Sequence, residues 1–207
     1  MPRLVNTLTD ELISTAYKVM YSSMMAIPTL REIGELEFTS KAADALGRNE
    51  QLLMAVRNPY ARLSSFFADK LRHNLEREEG SWQFSQLMFF PLVGVTVNDS
   101  FAAIKQALQS ISFEAFIDYL PHVWRNGHLR PQAELLRAGQ LDLALHTCYF
   151  PIETDGSKFW SHLGISEPPQ MNTTFSRFDS LTLSRARLDS INDIYADDFA
   201  AFGYEML

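Results

Sequence analysis

The fold is decided by residues 51–65, which read QLLMAVRNPYARLSS. The first six of them are an apolar run of strand length. It ends at Arg57-Asn58-Pro59, where the proline forces the residue before it out of helical geometry. From Tyr60 onward, apolar residues recur every three or four positions with charged residues between them, a spacing typical of an amphipathic helix. The stretch therefore predicts a buried strand that is followed at once by a helix.

A similar transition stands near the start of the chain. Residues 12–17 (LISTAY) are partly β-branched and partly aromatic, which favours a strand. They lead through Lys18, Ser22 and Ser23 into the apolar residues 24–27, which indicate a helix. Two strand-to-helix units predict an α/β protein with a mainly parallel β-sheet flanked by α-helices. Ligands of such sheets bind beyond the carboxyl ends of the strands, where Lys18 and Arg57 both fall.

The second half of the chain is predicted to be rich in helices. Helical spacing recurs over residues 98–108 and 113–120, and residues 157–163 indicate a short helix that Gly164 stops. Residues 145–150 indicate a late strand, and residues 167–174 are the most loop-like segment. Because no repeat and no linker divides the chain, we expect one domain over residues 1–207.

The composition limits the partners that the protein can bind. The 207 residues carry a formal charge of −7, which argues against a nucleic-acid surface, so an anionic ligand needs a local basic pocket. The single cysteine, Cys148, excludes an intrachain disulfide and suits a reducing cytoplasm. No secretory leader and no membrane span is evident, so we expect a cytoplasmic protein. The oligomeric state stays open.

The turn after residues 51–56 carries side chains suited to a phosphate. Arg57 offers a planar fork of donors, and Ser65, just over two helical turns further on, offers a hydroxyl to the same group. A strand-to-helix transition is also where a phosphate site is expected. The alternative is that Arg57 forms a cap or an ion pair and that Ser65 packs between helices. Arg62 and Lys70 are expected to be solvated helix charges or intrahelical partners.

Residues 57–70, RNPYARLSSFFADK, resemble the 3′-phosphate segment of the carbohydrate sulfotransferases in sulfotransferase family 2. The shared order is an arginine, a polar residue, proline and an aromatic, then Arg-Leu, a serine and a downstream lysine. The resemblance implies a P-loop-like sheet and 3′-phosphoadenosine 5′-phosphosulfate as co-substrate, with Arg57 and Ser65 on its 3′-phosphate. It also implies a carbohydrate or another small molecule as acceptor.

The same family places a lysine and hydroxyl residues in a loop after its first strand. By resemblance, Lys18 contacts the phosphosulfate oxygens, and Ser22 and Ser23 donate hydrogen bonds beside it. Lys18 would thereby stabilise the charge that develops on the leaving phosphate. The family's loop usually has proline before the lysine and small residues after it, whereas this chain has the bulky residues Tyr17, Met20 and Tyr21.

Three later segments resemble the family in the same order, and the first of them is residues 112–116 (SFEAF). Residues 126–132 (NGHLRPQ) resemble a His-Trp-Arg-Pro-Gln pattern with Leu129 in place of tryptophan, and residues 194–204 resemble the closing Tyr–acidic–Phe–Gly–Tyr pattern. His128 is either the general base or a residue that holds its loop. Glu153, after the late strand, is the carboxylate alternative for the base. The closing aromatics are expected to pack in the core.

The sequence therefore predicts transfer of a sulfuryl group from 3′-phosphoadenosine 5′-phosphosulfate to a hydroxyl, without a metal. Amine, phenol and lipid acceptors stay open beside the carbohydrate. One alternative is a degenerate domain that keeps the fold and binds a nucleotide or a partner without catalysis. A nucleotide-dependent phosphotransferase is disfavoured because Gly-x-x-x-x-Gly-Lys-Ser/Thr is absent.

Overall fold

The computed structural model describes residues 1–73, 75, 82–138, 146–169 and 183–207. This part of the chain forms two compact units. Unit 1 comprises Met1–Asn58, the described part of 131–173 and Asp197–Glu205. Unit 2 comprises the described parts of 59–130 and 174–196, together with Met206–Leu207. The single domain expected from the sequence stays a prediction.

Among the described residues, unit 1 contains a five-stranded sheet with the strand order β3-β1-β2-β4-β5. The parallel neighbours are β2, β4 and β5, with Thr15 opposite Ala55 and Val56 opposite Pro151. Strand β1 pairs antiparallel with both β2 and β3. The carboxyl ends of β2 and β4 therefore lie side by side. The strands are β1 (Arg3–Asn6), β2 (Leu12–Thr15), β3 (Leu30–Glu32), β4 (Gln51–Val56) and β5 (His146–Pro151).

Helices cover both faces of this sheet. Side chains alternate along β4: Leu52, Met54 and Val56 enter one core, and Leu53 and Ala55 enter the other. The first core also contains side chains of α2 (Glu35–Gly47), α8 (Gln132–Ala138) and α11 (Ala196–Phe202), and the second those of α1 (Tyr21–Met25) and α9 (Ile152–His162). Burial on both faces explains why β4 reads as a continuous apolar run.

Unit 2 is helical in the part that the structure describes. Its core is aromatic: the fully buried Phe66, Phe89 and Phe116 lie with ring centroids 5.8–6.1 Å apart. Ser100 and Ser112 cap two of the helices by accepting backbone N–H bonds. The helical segments are α3 (Pro59–Ala68), a π-helical turn (Asp69–His73), α4 (Phe84–Leu87), α5 (Phe90–Val93), α6 (Phe101–Ser110), α7 (Phe113–Val123) and α10 (Arg185–Ile194).

The predicted α/β class, with helices around a sheet that contains parallel pairs, is confirmed. The sheet is mixed, because the short strands β1 and β3, which the sequence did not reveal, add two antiparallel pairs. Helix α9 begins at Ile152 rather than at residue 157, since Pro151 precedes it and Glu153 and Asp155 occupy its first turn. No helix in the described ranges is long and apolar enough to cross a membrane.

Three sequence-based interpretations fall on residues that are not described. Leu145, expected to begin the late strand, lies outside the described residues, as do residues 170–174 of the expected loop. Arg177, which the sequence offers as one more contact of the co-substrate in the polar stretch after residue 174, lies outside them as well. The described part of that strand, His146–Pro151, agrees with the expectation.

Candidate active site

The loop after β2 has a left-handed backbone at two residues that are not glycine. Lys18 has a φ of 71° and Met20 a φ of 54°. Residues other than glycine rarely adopt such φ angles, and each residue held in this conformation costs roughly 1–3 kcal/mol. The Thr15 hydroxyl, buried at the end of β2, donates to the Val19 carbonyl oxygen at 2.6 Å and closes the loop. The strand end therefore carries a strained turn held in one shape.

The bulky residues that depart from the family's loop are accommodated in two different ways. Met20 packs against the buried core between the sheet and α1. The Tyr21 hydroxyl donates to Glu32 Oε2 at 2.7 Å, and this hydrogen bond is the main cause that raises the pKa of Tyr21 to about 12. Both side chains thus find partners in unit 1, and the turn keeps its shape without glycine.

Arg57 connects the end of β4 with this loop. Its guanidinium Nη1 donates to the carbonyl oxygen of Lys18 at 3.1 Å. The contact follows from the register of the two parallel strands, because Thr15 of β2 lies opposite Ala55 of β4. The structure thereby brings together Lys18 and Arg57, the two basic residues that the sequence placed at the carboxyl ends of strands. Both are half-buried.

Glu153 holds the turn that follows Arg57. Its Oε1 accepts the backbone N–H of Asn58 at 3.1 Å and lies 3.9 Å from Arg57 Nε. Its Oε2 accepts the hydroxyl of Tyr204 at 2.8 Å. Burial, followed by the neighbouring Glu153 carboxylate, raises the pKa of Tyr204 well above its usual value. The carboxylate that the sequence offered as a general base therefore has both oxygens engaged.

Gln132 holds Arg57 from its backbone side. The Gln132 Oε1 accepts the Arg57 N–H at 3.0 Å, and its Nε2 donates to the Arg57 carbonyl oxygen at 2.8 Å. In the sequence, Gln132 is recognisable only as the last residue of a Pro-Gln pattern. Its role depends on a contact between residues 75 positions apart.

The remaining predicted ligands of the co-substrate lie in two places. Ser22, exposed, and Ser23, buried, belong to α1, directly after the Lys18 loop. Ser65 is buried in α3 of unit 2. Arg57 belongs to unit 1. Binding of the same phosphate by Arg57 and Ser65 therefore stays a prediction.

Arg62 and Lys70 are both buried, so neither is the solvated helix charge that the sequence suggested, whereas for Lys70 the alternative, a partner within its helical segment, is confirmed. Arg62 is 2% exposed, and its guanidinium donates to the carbonyl oxygens of Arg130 (2.8 Å) and His128 (3.0 Å). Lys70, 6% exposed, pairs with Asp69 at 2.8 Å in the π-helical turn. Helical spacing does not reveal that carbonyl groups of a distant loop would face Arg62.

The segment that carries His128 is fixed through three consecutive carbonyl groups. Arg62 binds the first and the third, and the buried Tyr195 hydroxyl donates to the second, that of Leu129, at 2.5 Å. The His128 N–H donates to Asn126 Oδ1, and the imidazole lies 6.2 Å from the Phe66 ring. The closing aromatic Tyr195 thus packs in the core of unit 2 and also holds the His128 loop.

Replacing the buried Arg62 by leucine is expected to lower the free energy of unfolding by about 2–3 kcal/mol, because two partly buried carbonyl groups lose their charged donor. Urea unfolding followed by circular dichroism measures this loss. Arg187→Leu is the matched control in unit 2: it breaks an exposed pair with Asp118 and should cost at most about 1 kcal/mol. Equal losses in the two variants would contradict the role given to Arg62.

The described residues contain no group of three or more His, Cys, Asp or Glu side chains that could hold a metal ion. The expectation that no metal takes part stays a prediction. In unit 1 the structure places the Arg57 guanidinium on the Lys18 carbonyl oxygen, with Ser22 and Ser23 in the helix that follows. Lysine, arginine and hydroxyl side chains are donors that suit an anion of the phosphate or sulfate type.

These features define an α/β protein with basic side chains at the carboxyl ends of two neighbouring parallel strands. A model of the Sulfotransferase family matches residues 18–205, from Lys18 to the residue after Tyr204. The chain therefore belongs to the Sulfotransferase family, which confirms the resemblance seen in the sequence and indicates a transferase of sulfuryl groups. Comparisons with curated proteins and with solved structures gave no significant match.

Proposed function

We propose that the protein transfers a sulfuryl group from 3′-phosphoadenosine 5′-phosphosulfate to a hydroxyl, with a carbohydrate as the acceptor. The observation that carries the proposal is the hydrogen bond from Arg57 Nη1 to the carbonyl oxygen of Lys18. It joins the two strand ends at which the family resemblance expects the two anionic parts of the co-substrate. The carbohydrate class rests on the resemblance of residues 57–70.

The chemistry of unit 1 fits this co-substrate. Lys18 supplies a compact cation, Arg57 a planar fork of donors, and Ser22 and Ser23 hydroxyl donors close to Lys18 in the chain. The co-substrate, when bound, supplies an activated sulfuryl group and a phosphate as leaving group. The strained turn at Lys18 supports the proposal, since strain of this kind is often kept at functional sites.

In the proposed reaction, the acceptor oxygen attacks sulfur in line with the bond to the bridging oxygen. One S–O bond forms as the other breaks, and the electron pair of the broken bond stays on the departing phosphate. Lys18 stabilises that negative charge, and Arg57 holds the other end of the co-substrate. Positioning and electrostatic stabilisation then carry most of the rate.

The proton of the acceptor hydroxyl passes to a base, for which the sequence offered His128 and Glu153. The contacts of Glu153 favour a positioning role, because both of its oxygens already accept hydrogen bonds. His128, the other candidate that the sequence left open, is therefore the proposed base, because an ordinary imidazole has a pKa suited to proton transfer near neutral pH.

Glu153→Gln separates these two roles. Glutamine can still accept the Asn58 N–H, and its amide can donate to the Tyr204 hydroxyl, which lies 3.3 Å from the Val56 carbonyl oxygen. If Glu153 is a positioning residue, kcat should stay within about threefold, whereas loss of a general base costs roughly 10²-fold or more. Glu153→Ala, which removes both contacts, should instead weaken binding of 3′-phosphoadenosine 5′-phosphate. A large loss of kcat in Glu153→Gln, at unchanged affinity, would restore Glu153 as the base.

Titration calorimetry with 3′-phosphoadenosine 5′-phosphate, with ATP as the comparison, tests the proposed function. Preferential binding of the bisphosphate is expected, together with sulfate transfer to at least one member of a panel of carbohydrate acceptors. Absence of bisphosphate binding would refute the proposal. Binding without transfer to carbohydrates, phenols, amines or lipid alcohols would favour the degenerate module, which the bulky residues Met20 and Tyr21 make the second candidate.

A further inference from the structure

The backbone of Arg57 lies just beyond the point where strand pairing ends. The last pair between β4 and β5 is Val56 with Pro151, and proline has no N–H to offer. One side-chain amide, that of Gln132, supplies both an acceptor for the Arg57 N–H and a donor for the Arg57 carbonyl oxygen. Gln132 thus extends the hydrogen bonding of β4 by one residue, to Arg57. Arg57 is also the residue whose guanidinium donates to the Lys18 carbonyl oxygen.

Gln132 is itself held by a buried carboxylate. Gln132 and Asp198 are both 0% exposed. Asp198 Oδ2 accepts the Gln132 N–H at 2.9 Å and lies 3.3 Å from the Gln132 Nε2 donor, while Oδ1 accepts the Ala133 N–H at 2.7 Å. Backbone and side chain of Gln132 are therefore fixed together, and the buried charge of Asp198 has the donors it requires.

The chemistry of this contact demands an amide. Asparagine and glutamine carry N–H donors and a carbonyl acceptor on one planar, uncharged group. A glutamate at position 132 could accept the Arg57 N–H, but it could not donate to the Arg57 carbonyl and would face the Asp198 carboxylate with like charge. An apolar side chain would fill this buried position without any hydrogen bond to Arg57. The two hydrogen bonds of Gln132 therefore indicate a role beyond packing.

We propose that Gln132 is a positioning residue for the co-substrate, acting through Arg57. It fixes the backbone of Arg57, so that the guanidinium has its binding orientation before the co-substrate binds. Preorganisation of this kind contributes to affinity because less motion is lost on binding. The inference rests on the proposed function, since it assumes that Arg57 contacts a phosphate of the co-substrate.

Gln132→Met, similar in length but without the amide, is expected to weaken binding of 3′-phosphoadenosine 5′-phosphate by about tenfold in calorimetry. The matched control is Gln86→Met. Gln86 is another fully buried glutamine, 1% exposed, whose amide bonds the Lys70 carbonyl oxygen and the Gln83 N–H in unit 2. The Gln86→Met variant should lose about as much stability in urea unfolding as Gln132→Met. Its affinity for the bisphosphate should stay within about twofold of the parent.

A double-mutant cycle with Arg57→Lys distinguishes positioning from a general loss of structure. If Gln132 acts through the fork of Arg57, Gln132→Met should cost less than about threefold in the Arg57→Lys background. Equal tenfold losses in both backgrounds, or unchanged affinity of Gln132→Met in the parent, would overturn the inference while leaving the proposed function intact. Failure of the parent protein to bind the bisphosphate would overturn both.

A readout without ligand completes the test. Hydrogen exchange of the Arg57 amide, followed by NMR, should become at least tenfold faster in Gln132→Met than in the parent, and it should be unchanged in Gln86→Met. Protection that survives in Gln132→Met would show that another group holds this amide and would overturn the inference.

Discussion

Arg57→Ala is expected to weaken binding of 3′-phosphoadenosine 5′-phosphate by about 100-fold, as measured by titration calorimetry. The substitution removes charge-assisted hydrogen bonds to a phosphate, which contribute roughly 1.5–3 kcal/mol. It also removes the contact with the Lys18 carbonyl oxygen, and with it a restraint on the loop. The affinity for ATP, which lacks a 3′-phosphate, should change much less.

Two further variants sharpen this result. Arg57→Lys keeps the charge but loses the planar fork, so an intermediate loss of about tenfold is expected. Arg137→Ala removes a different arginine of unit 1, one that pairs with Asp197 on the surface, and should leave the affinity unchanged. Full affinity in Arg57→Ala would rule out the assigned site and leave the family membership untouched.

Lys18→Met is expected to lower kcat for sulfate transfer by about 10³-fold. The ammonium group is proposed to stabilise a charge that grows only as the S–O bond breaks, and a loss of this kind falls on kcat more than on binding. Affinity for the bisphosphate should therefore fall less, by about tenfold. Methionine meets the same backbone restriction as lysine at a φ of 71°, so the strain in the loop is matched.

The control for Lys18→Met is Lys41→Met, which removes a lysine of unit 1 that pairs with Asp10 away from the Lys18 loop. Its kcat should equal that of the parent. If Lys18→Met retained the parent kcat at saturating co-substrate, the catalytic role of Lys18 would be wrong. Weaker bisphosphate affinity together with that unchanged kcat would indicate that Lys18 only binds the co-substrate.

The strand-to-helix units were predictable because their signals are local. Residues 51–56 form β4 with the bounds expected from the apolar run, and the proline after Asn58 begins α3. The strands β1 and β3 were not predictable in the same way. They are four and three residues long, and antiparallel pairing with distant residues, rather than their own pattern, makes them strands.

The side chains of the candidate site also divide into those that local sequence signals revealed and those whose contacts only the structure shows. Lys18 and Arg57 were found from the sequence because each directly follows a stretch predicted as a strand, although β2 ends at Thr15 and not at Tyr17. The register of the parallel strands brings their positions together. Arg62 was misjudged, since its helix pattern says nothing about carbonyl groups of the His128 loop. Glu153 was found as a carboxylate near a strand end, but its contacts with Asn58 and Tyr204 change the role that we propose for it.

By itself, the sequence determined the α/β class, the family and the two basic residues at the strand ends, because strand length, helical spacing and the Arg57 to Ser65 pattern all depend on neighbours in the chain. Only the tertiary structure decided what holds Arg57 in place. Gln132 is 75 residues away in sequence, and Glu153 is 95 residues from Asn58. Hydrogen bonds between such distant groups form only when the sheet and its helices assemble, so no spacing in the sequence records them.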